Sequence, residues 1–197
     1  RNSIVITFDD GYRDNYIHAY PILKKYNIPA IFYLTTGNIG SSKMLWMHKL
    51  VYIVEAAKTK GVNIKEKFSD DEGTLEQLSK KIKKMNGVEK IHVYLNMIPE
   101  RLGVVVNEEK IDNRMMTWND VIEMEKNGFD FGGHTVNHPN LPSLTNFEAE
   151  REIGESKRQI EEKIGREINH FSYPNGGATS HYDDRIKMIV KKCGYKS

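Results

Sequence analysis

Within residues 4 to 35, two apolar runs frame a helix-forming stretch, and that spacing leaves few folds open. Ile4, Val5, Ile6 and Thr7 make a β-branched run that reads as a buried strand. Ile28 to Thr35 reads as a second strand, closed by Gly37 and Gly40. Between them Asp14 or Asn15 can cap a helix running to about Tyr26, with Pro21 delaying or kinking its start. A helical crossover returns the chain to the same end of the sheet, so the two strands must run parallel.

The same alternation resumes later. Thr117 with Asp120 forms a capping-box-like start for a helix stopped by Gly128, and a short strand follows at Phe129 to Gly132. Thr145 with Glu148 opens a longer helix, whose Ala149, Ile153, Ile160 and Ile164 run down one face to Gly165. Ile168 to Tyr173 is the next strand, ended by Pro174-Asn175-Gly176-Gly177, and Ile186 to Cys193 is a last helix stopped by Gly194. From about 41 to 114 the pattern is helical instead, with one helix around Leu45 to Ala57 and another around Leu75 to Met85. Its Lys-rich run, Lys80, Lys81, Lys83 and Lys84, is interspersed with acids and reads as a solvated helix face. Trp46 and His48 are within reach of a ligand groove, but helix packing is the preferred reading of both.

A chain of 197 residues is expected to form one α/β domain, 1–197, with a helical insertion at about 41–114. The net charge of +2 gives no electrostatic case for a nucleic acid partner. No apolar run approaches the ~20 residues of a membrane span, and no targeting signal is visible. The chain begins at Arg1 and enters a strand almost at once, which suggests a piece of a longer protein. The lone cysteine, Cys193, excludes an internal disulfide and is expected to pack in the core.

Three loops rich in Gly, Asp, His and Pro follow strands, and in sheets and barrels of this class the carboxyl ends of strands hold the chemistry. Asp9 and Asp10 sit at the end of the first strand, where successive side chains diverge, so one carboxylate can hold a metal while the other faces a substrate. An isolated Asp-Asp-Gly is more often a plain turn. His134 and His138, four apart in a loop of glycines and proline, can grip one metal ion, although a lone pair at that spacing is a weak signal. Together with Asp10 they make three protein ligands with open positions, the pattern of a catalytic zinc site. A metal there activates water and polarises a carbonyl, and Asp9, free of the metal, can take the proton from that water.

Thr-Phe-Asp-Asp-Gly-Tyr at 7 to 12, His-Thr-x-x-His at 134 to 138 and Phe-Ser-Tyr-Pro-Asn-Gly at 171 to 176 resemble the first three signature motifs of the polysaccharide deacetylases, carbohydrate esterases with a NodB-homology domain. Thr117-Trp118-Asn119-Asp120, Leu141 and Gly194-Tyr195 also look like family positions. The resemblance covers nearly the whole chain outside 41–114. It implies a distorted, incomplete TIM-like (β/α) barrel, with about seven strands in the full domain. It implies Asp9 as general base, and Asp10, His134 and His138 as ligands of a divalent metal, usually zinc, with cobalt, nickel or manganese as alternatives. Thr135 would brace the histidine loop, Tyr173, Pro174 and Asn175 would wall the acetyl pocket, and the Asn175 N–H would bind the oxyanion. The implied partner is an acetylated glycan such as chitin, peptidoglycan or an exopolysaccharide, with N-acetyl or, in some relatives, O-acetyl groups removed. Family habit places such enzymes outside the cell or in its envelope.

Two departures stand against this. Many members tether the catalytic Asp through an Arg near the third motif, where this chain has Ser172. The family's general acid, a His in a late Leu-x-Leu-x-His motif, has no counterpart here, so the C-terminal part of the domain is expected to be missing. His170 and His181 are expected in surface or turn roles. The alternatives are a catalytically impaired carbohydrate-binding relative and an amidase acting on a non-sugar C–N bond.

Overall fold

A computed structural model describes residues 4–68, 72–106, 114–175 and 181–197. Its centre is a sheet of four parallel strands, β1 (Ile6–Phe8), β2 (Ala30–Leu34), β3 (Asp130–Gly133) and β4 (His170–Phe171), lying side by side in chain order. Ile6 pairs with Ala30, Phe32 with Phe131 and Gly133 with Phe171. A doubly wound sheet reverses its strand order part-way; an unreversed one is the wall of a (β/α) barrel. With four strands among the described residues, the wall is an open arc. Tyr195 to Ser197 run along the outer edge of β4, where Phe171 N–H donates to Ser197 O (2.8 Å) and Lys196 N–H to Asn169 O (2.8 Å).

In β2, Ala30, Phe32 and Leu34 are buried while Ile31 and Tyr33 are half-buried, so one face of the strand is fully committed to the core. Phe32 stacks on Phe8 at 4.8 Å and tilts against Phe131 at 5.9 Å. Burying each such side chain contributes roughly 1.5–3 kcal/mol. The helices α6 (Trp118–Lys126), α7 (Asn146–Ile164) and α8 (Asp184–Lys192) add Val121, Met124, Ile153, Ile160 and Ile186 to the same core. Both Thr117 and Thr145 cap their helices with reciprocal side-chain and backbone bonds to Asp120 and Glu148.

The first crossover differs from the expected single helix. Residues Asn15–Ala19 form a π turn and α1 spans only Tyr20–Lys25, with Pro21 in its first turn. Asp14 makes no side-chain cap bond. The wider turn accommodates the proline, whose missing N–H costs nothing at the start of α1.

Between β2 and α6 the described residues form four helices, α2 (Trp46–Thr59), α3 (Ile64–Lys67), α4 (Leu75–Lys83) and α5 (Val88–Leu102), two more than the expected pair. They surround a second apolar cluster in which Ile53, Leu78, Ile82, Leu95 and Ile98 are buried. The stripe Ile91, Tyr94, Leu95, Ile98, Leu102 is the helical signal of α5. On the lysine-rich face Lys80 pairs with Glu76, and Lys81 with Glu72. Cys193 is half-buried against the barrel core.

Candidate active site

The three polar loops meet at the carboxyl ends of β1, β3 and β4, held by a net of backbone bonds. Thr35 N–H donates to Asp10 O (3.3 Å), His134 N–H to Leu34 O (3.0 Å), Gly37 N–H to Val136 O (2.9 Å) and Ser172 N–H to Gly133 O (3.0 Å). A Cβ on Gly37 would lie 2.7 Å from Val136 O, so this close approach of two loops requires glycine. Of the five non-glycine residues with positive φ among the described residues, four are here: Asp10 (71°), Thr135 (65°), His138 (54°) and Asn175 (68°). Each such conformation costs on the order of 1 kcal/mol or more and persists only where the surroundings over-determine it.

Asp10, His134 and His138 converge. Asp10 Oδ1 is 3.5 Å from His134 Nε2 and 3.3 Å from His138 Nε2, and the rings lie edge to face at 4.9 Å. These distances alone would suit ion pairs, but burial and the neighbouring His134 push the His138 imidazole down to about 3, so it is neutral at physiological pH. His134 Nδ1 lies 2.8 Å from Ser172 O, an acceptor, which puts the ring proton on Nδ1 and leaves a lone pair on Nε2. Burial raises the Asp10 pKa, opposed first by His134, with the Asp9 charge raising it further and the Tyr12 hydroxyl lowering it. Asp10 Oδ1 and His138 Nδ1 are buried with no hydrogen-bond partner.

An orphaned carboxylate oxygen facing imidazole nitrogens, all within 4.8 Å of one another, is a donor set that a divalent cation would satisfy. The residues present therefore fit the implied metal. One imidazole has its outer nitrogen fixed by a carbonyl, as metal-bound histidines do, while the other's outer nitrogen is bare.

The remaining sequence-derived residues lie around this group. Asp9 is exposed, and Ser172 Oγ lies 3.5 Å from its Oδ2, a long contact. His138 N–H donates to Thr135 Oγ1 (3.0 Å). Tyr173 packs edge-on to Phe171 at 5.3 Å, Pro174 is buried, and Asn175 Nδ2 reaches Pro139 O at 3.4 Å. Gly176 and Gly177 lie outside the described residues. His170 bonds Ser197 Oγ (2.7 Å), and His181 Nδ1 lies 3.3 Å from Asn140 Oδ1.

One contributor, Glu152, was not evident from the sequence, and two others were weighed there only as reaching a groove. Glu152 on α7 is 3% exposed and accepts from Val136 N–H (3.0 Å), Asn137 N–H (2.8 Å) and Asn137 Nδ2 (2.7 Å), pinning the middle of the histidine loop. Its signal was an acid on the apolar stripe of α7, between Ala149 and Ser156. Trp46 Nε1 donates to His138 O (2.9 Å), and His48 Nδ1 lies 2.9 Å from the Tyr12 hydroxyl. The helical segment thus reaches the site through both residues considered for a groove.

The family model for polysaccharide deacetylases matches residues 1–197. The chain belongs to the polysaccharide deacetylase family. YxkH of Bacillus subtilis (strain 168), named as a polysaccharide deacetylase, is 23% identical over 193 residues, which is 98% of this chain and 42% of that protein. The poly-beta-1,6-N-acetyl-D-glucosamine N-deacetylase of Staphylococcus aureus (strain MSSA476) is 50% identical over 40 residues, 20% of this chain and 14% of that one. Among solved structures, Streptococcus pyogenes deacetylase PplD in complex with acetate aligns with a TM-score of 0.55 at 21% identity, covering 98% of this chain and 53% of that one. This polysaccharide deacetylase chain therefore spans about half the length, or less, of these relatives. The likeness to PplD confirms the α/β fold as an incomplete TIM-like barrel.

Proposed function

We propose that the chain hydrolyses acetyl groups from an N-acetylated polysaccharide, acting on the acetamido C–N bond, with O-acetyl esters as the alternative linkage. The observation that supports this best is the convergence of Asp10 Oδ1 with the nitrogens of His134 and His138 at the end of a parallel strand. These three residues hold a divalent cation, for which two imidazoles and a carboxylate make zinc the first choice, with cobalt, nickel or manganese as alternatives. When bound, the cation supplies a Lewis acid that polarises the acetyl carbonyl and lowers the pKa of water.

The chain's own groups do the rest. Asp9, exposed beside the half-buried Asp10, accepts the proton of the attacking water at its carboxylate, and Ser172 Oγ limits its rotation. The left-handed backbone at Asn175 directs the chain past Pro139, so that its N–H can face the developing oxyanion. Tyr173 and Pro174 shape the wall beside the acetyl group, and Thr135 fixes the histidine loop. The named substrate of the staphylococcal relatives points to a poly-N-acetylglucosamine type of glycan. A polymer of that kind lies outside the cell or in its envelope, and we assign the chain to that location. No described helix is long and apolar enough to cross a membrane.

The test is acetate release from an N-acetylglucosamine oligomer in the presence of zinc. Asp9→Asn should lower the rate by about 100-fold or more, the range expected for loss of a general base, while zinc affinity stays within a factor of two or so. Equal loss of zinc binding would make Asp9 a ligand, and a rate unchanged by the substitution would remove it from catalysis.

A further inference from the structure

Beside the metal-ligand cluster an open groove of about 750 Å³ is lined by Tyr12, Arg13, Asp14, Ile17, His18, His48 and Arg114. It adjoins the cluster through two residues. Tyr12 interacts with the Asp10 carboxylate, and His48, hydrogen-bonded to Tyr12, lies in the field of Asp10. The groove's floor mixes an aromatic ring with the half-exposed Ile17, a surface suited to a sugar face.

The charges set it apart from a groove for a neutral sugar. The backbones of Arg13 and Arg114 are joined by a bond from Arg13 N–H to Arg114 O (2.7 Å), which brings two guanidiniums to one wall. Arg13 is half-buried and Arg114 exposed. Among the described residues neither side chain makes an ion pair with a carboxylate, and the exposed Asp14 is the one acid of the lining. Three other arginines are paired with carboxylates: Arg158 with Glu155 and Glu162, Arg166 with Glu125 and Asp130, Arg185 with Asp183. Two unpaired guanidiniums facing a cleft are free to make charge-assisted, bidentate bonds to an oxyanion.

We propose that this groove is a specificity subsite for an anionic substituent, carboxylate or phosphate, carried on a sugar residue next to the acetylated one. The idea rests on the deacetylase reading for which bond is cut, and adds that the preferred glycan is acidic rather than neutral. Arg13 and Arg114 would grip the oxyanion, Tyr12 and Ile17 would support the ring, and the same two guanidiniums would disfavour a cationic, already deacetylated sugar at that place.

The experiment compares three oligosaccharides with the zinc-loaded chain: neutral N-acetylglucosamine units, the same with a uronic acid neighbour, and the same with a phosphorylated neighbour. Binding is measured by calorimetry, and acetate release is followed separately. Expected is an affinity about 10-fold or more above the neutral oligomer for at least one acidic one, the scale of charge-assisted bonds at a partly exposed site. Which acidic arm wins distinguishes carboxylate from phosphate. The preference should shrink as salt is raised. In Arg13→Gln/Arg114→Gln the acidic-to-neutral ratio should fall toward one, with an unchanged circular dichroism melt showing that the fold is intact. Equal affinity for all three ligands, or a preference that survives in the double variant, overturns the subsite. Should the acidic preference appear and depend on the arginines while no acetate is released from any oligomer, the subsite stands and the deacetylase reading fails.

Discussion

Glu152→Ala isolates the way the barrel holds its histidine loop. The carboxylate is buried on α7 and accepts three hydrogen bonds, two from the backbone of Val136 and Asn137 and one from the Asn137 side chain. Bonds to a charged acceptor contribute roughly 1.5–3 kcal/mol each. Their sum overstates the effect, because burial of the carboxylate works against its charged form and raises its pKa. Leaving three donors unpaired beside a small void should therefore cost about 3–5 kcal/mol, the range for removing one partner of a buried charged network. Alanine's better helix propensity returns only a few tenths. Urea denaturation of the zinc-free chain measures this directly. Zinc affinity, read in competition with a chelating dye, should fall about 10- to 100-fold, because the loop that aims His134 and His138 has lost its anchor. A variant within 1 kcal/mol or so of the parent, with unchanged zinc affinity, would show that the loop holds its strained backbone without Glu152.

The remaining expectations are briefer. Burial raises the folded pKa of Glu152 above its ordinary value of 4.5, so the folded state holds its proton longer than the unfolded one. Its contribution to stability must then decline as pH rises from 4.5 through the folded value; the difference between the parent and Glu152→Gln in zinc-free buffer should show that slope, and a pH-independent difference would contradict it. Zinc at about 100 times its dissociation constant should raise stability by about 2.7 kcal/mol, reversed by chelation, and a melting temperature indifferent to both treatments would contradict the metal site. Trp46→Phe removes the donor to His138 O and should cost roughly 1–2 kcal/mol while lowering zinc affinity; wild-type values for both would mean that the helical segment does not support the site.

Much of the framework was legible because it is written in residue types. The run from Ile28 marked β2 and the two Thr capping boxes marked α6 and α7, whereas the run at Ile4 marked β1 only in part, since Ile4, Val5 and Thr7 are exposed and the strand spans Ile6–Phe8. The three polar loops could be assigned to strand ends, and parallel connection then obliged them to meet. What stayed hidden depends on conformation or on distance. The positive φ of Thr135 has no residue-type code, and Asp10 and His138 carry a weaker one than glycine would. Gly87 at the start of α5 and Pro99 inside it read as breakers, although the proline falls near the C-terminal end of an otherwise periodic stripe. The links from Trp46 to His138 and from His48 to Tyr12 join residues 92 and 36 positions apart, beyond any local pattern.

The bond from Trp46 to the His138 carbonyl has a consequence for the energy landscape. The helices α2 to α5 own a separate apolar cluster, so they have the makings of a unit that could open while the barrel stays closed. Yet Trp46 ties that unit to His138, and Asn140 Nδ2 ties the same loop to Lys83 O at the end of α4. Any ion gripped by the histidines would accordingly slow amide exchange in α2 and α4, far from its own coordination sphere. By the reciprocity of linkage, a substitution that loosens the helical unit would weaken the grip on the ion by the same free energy.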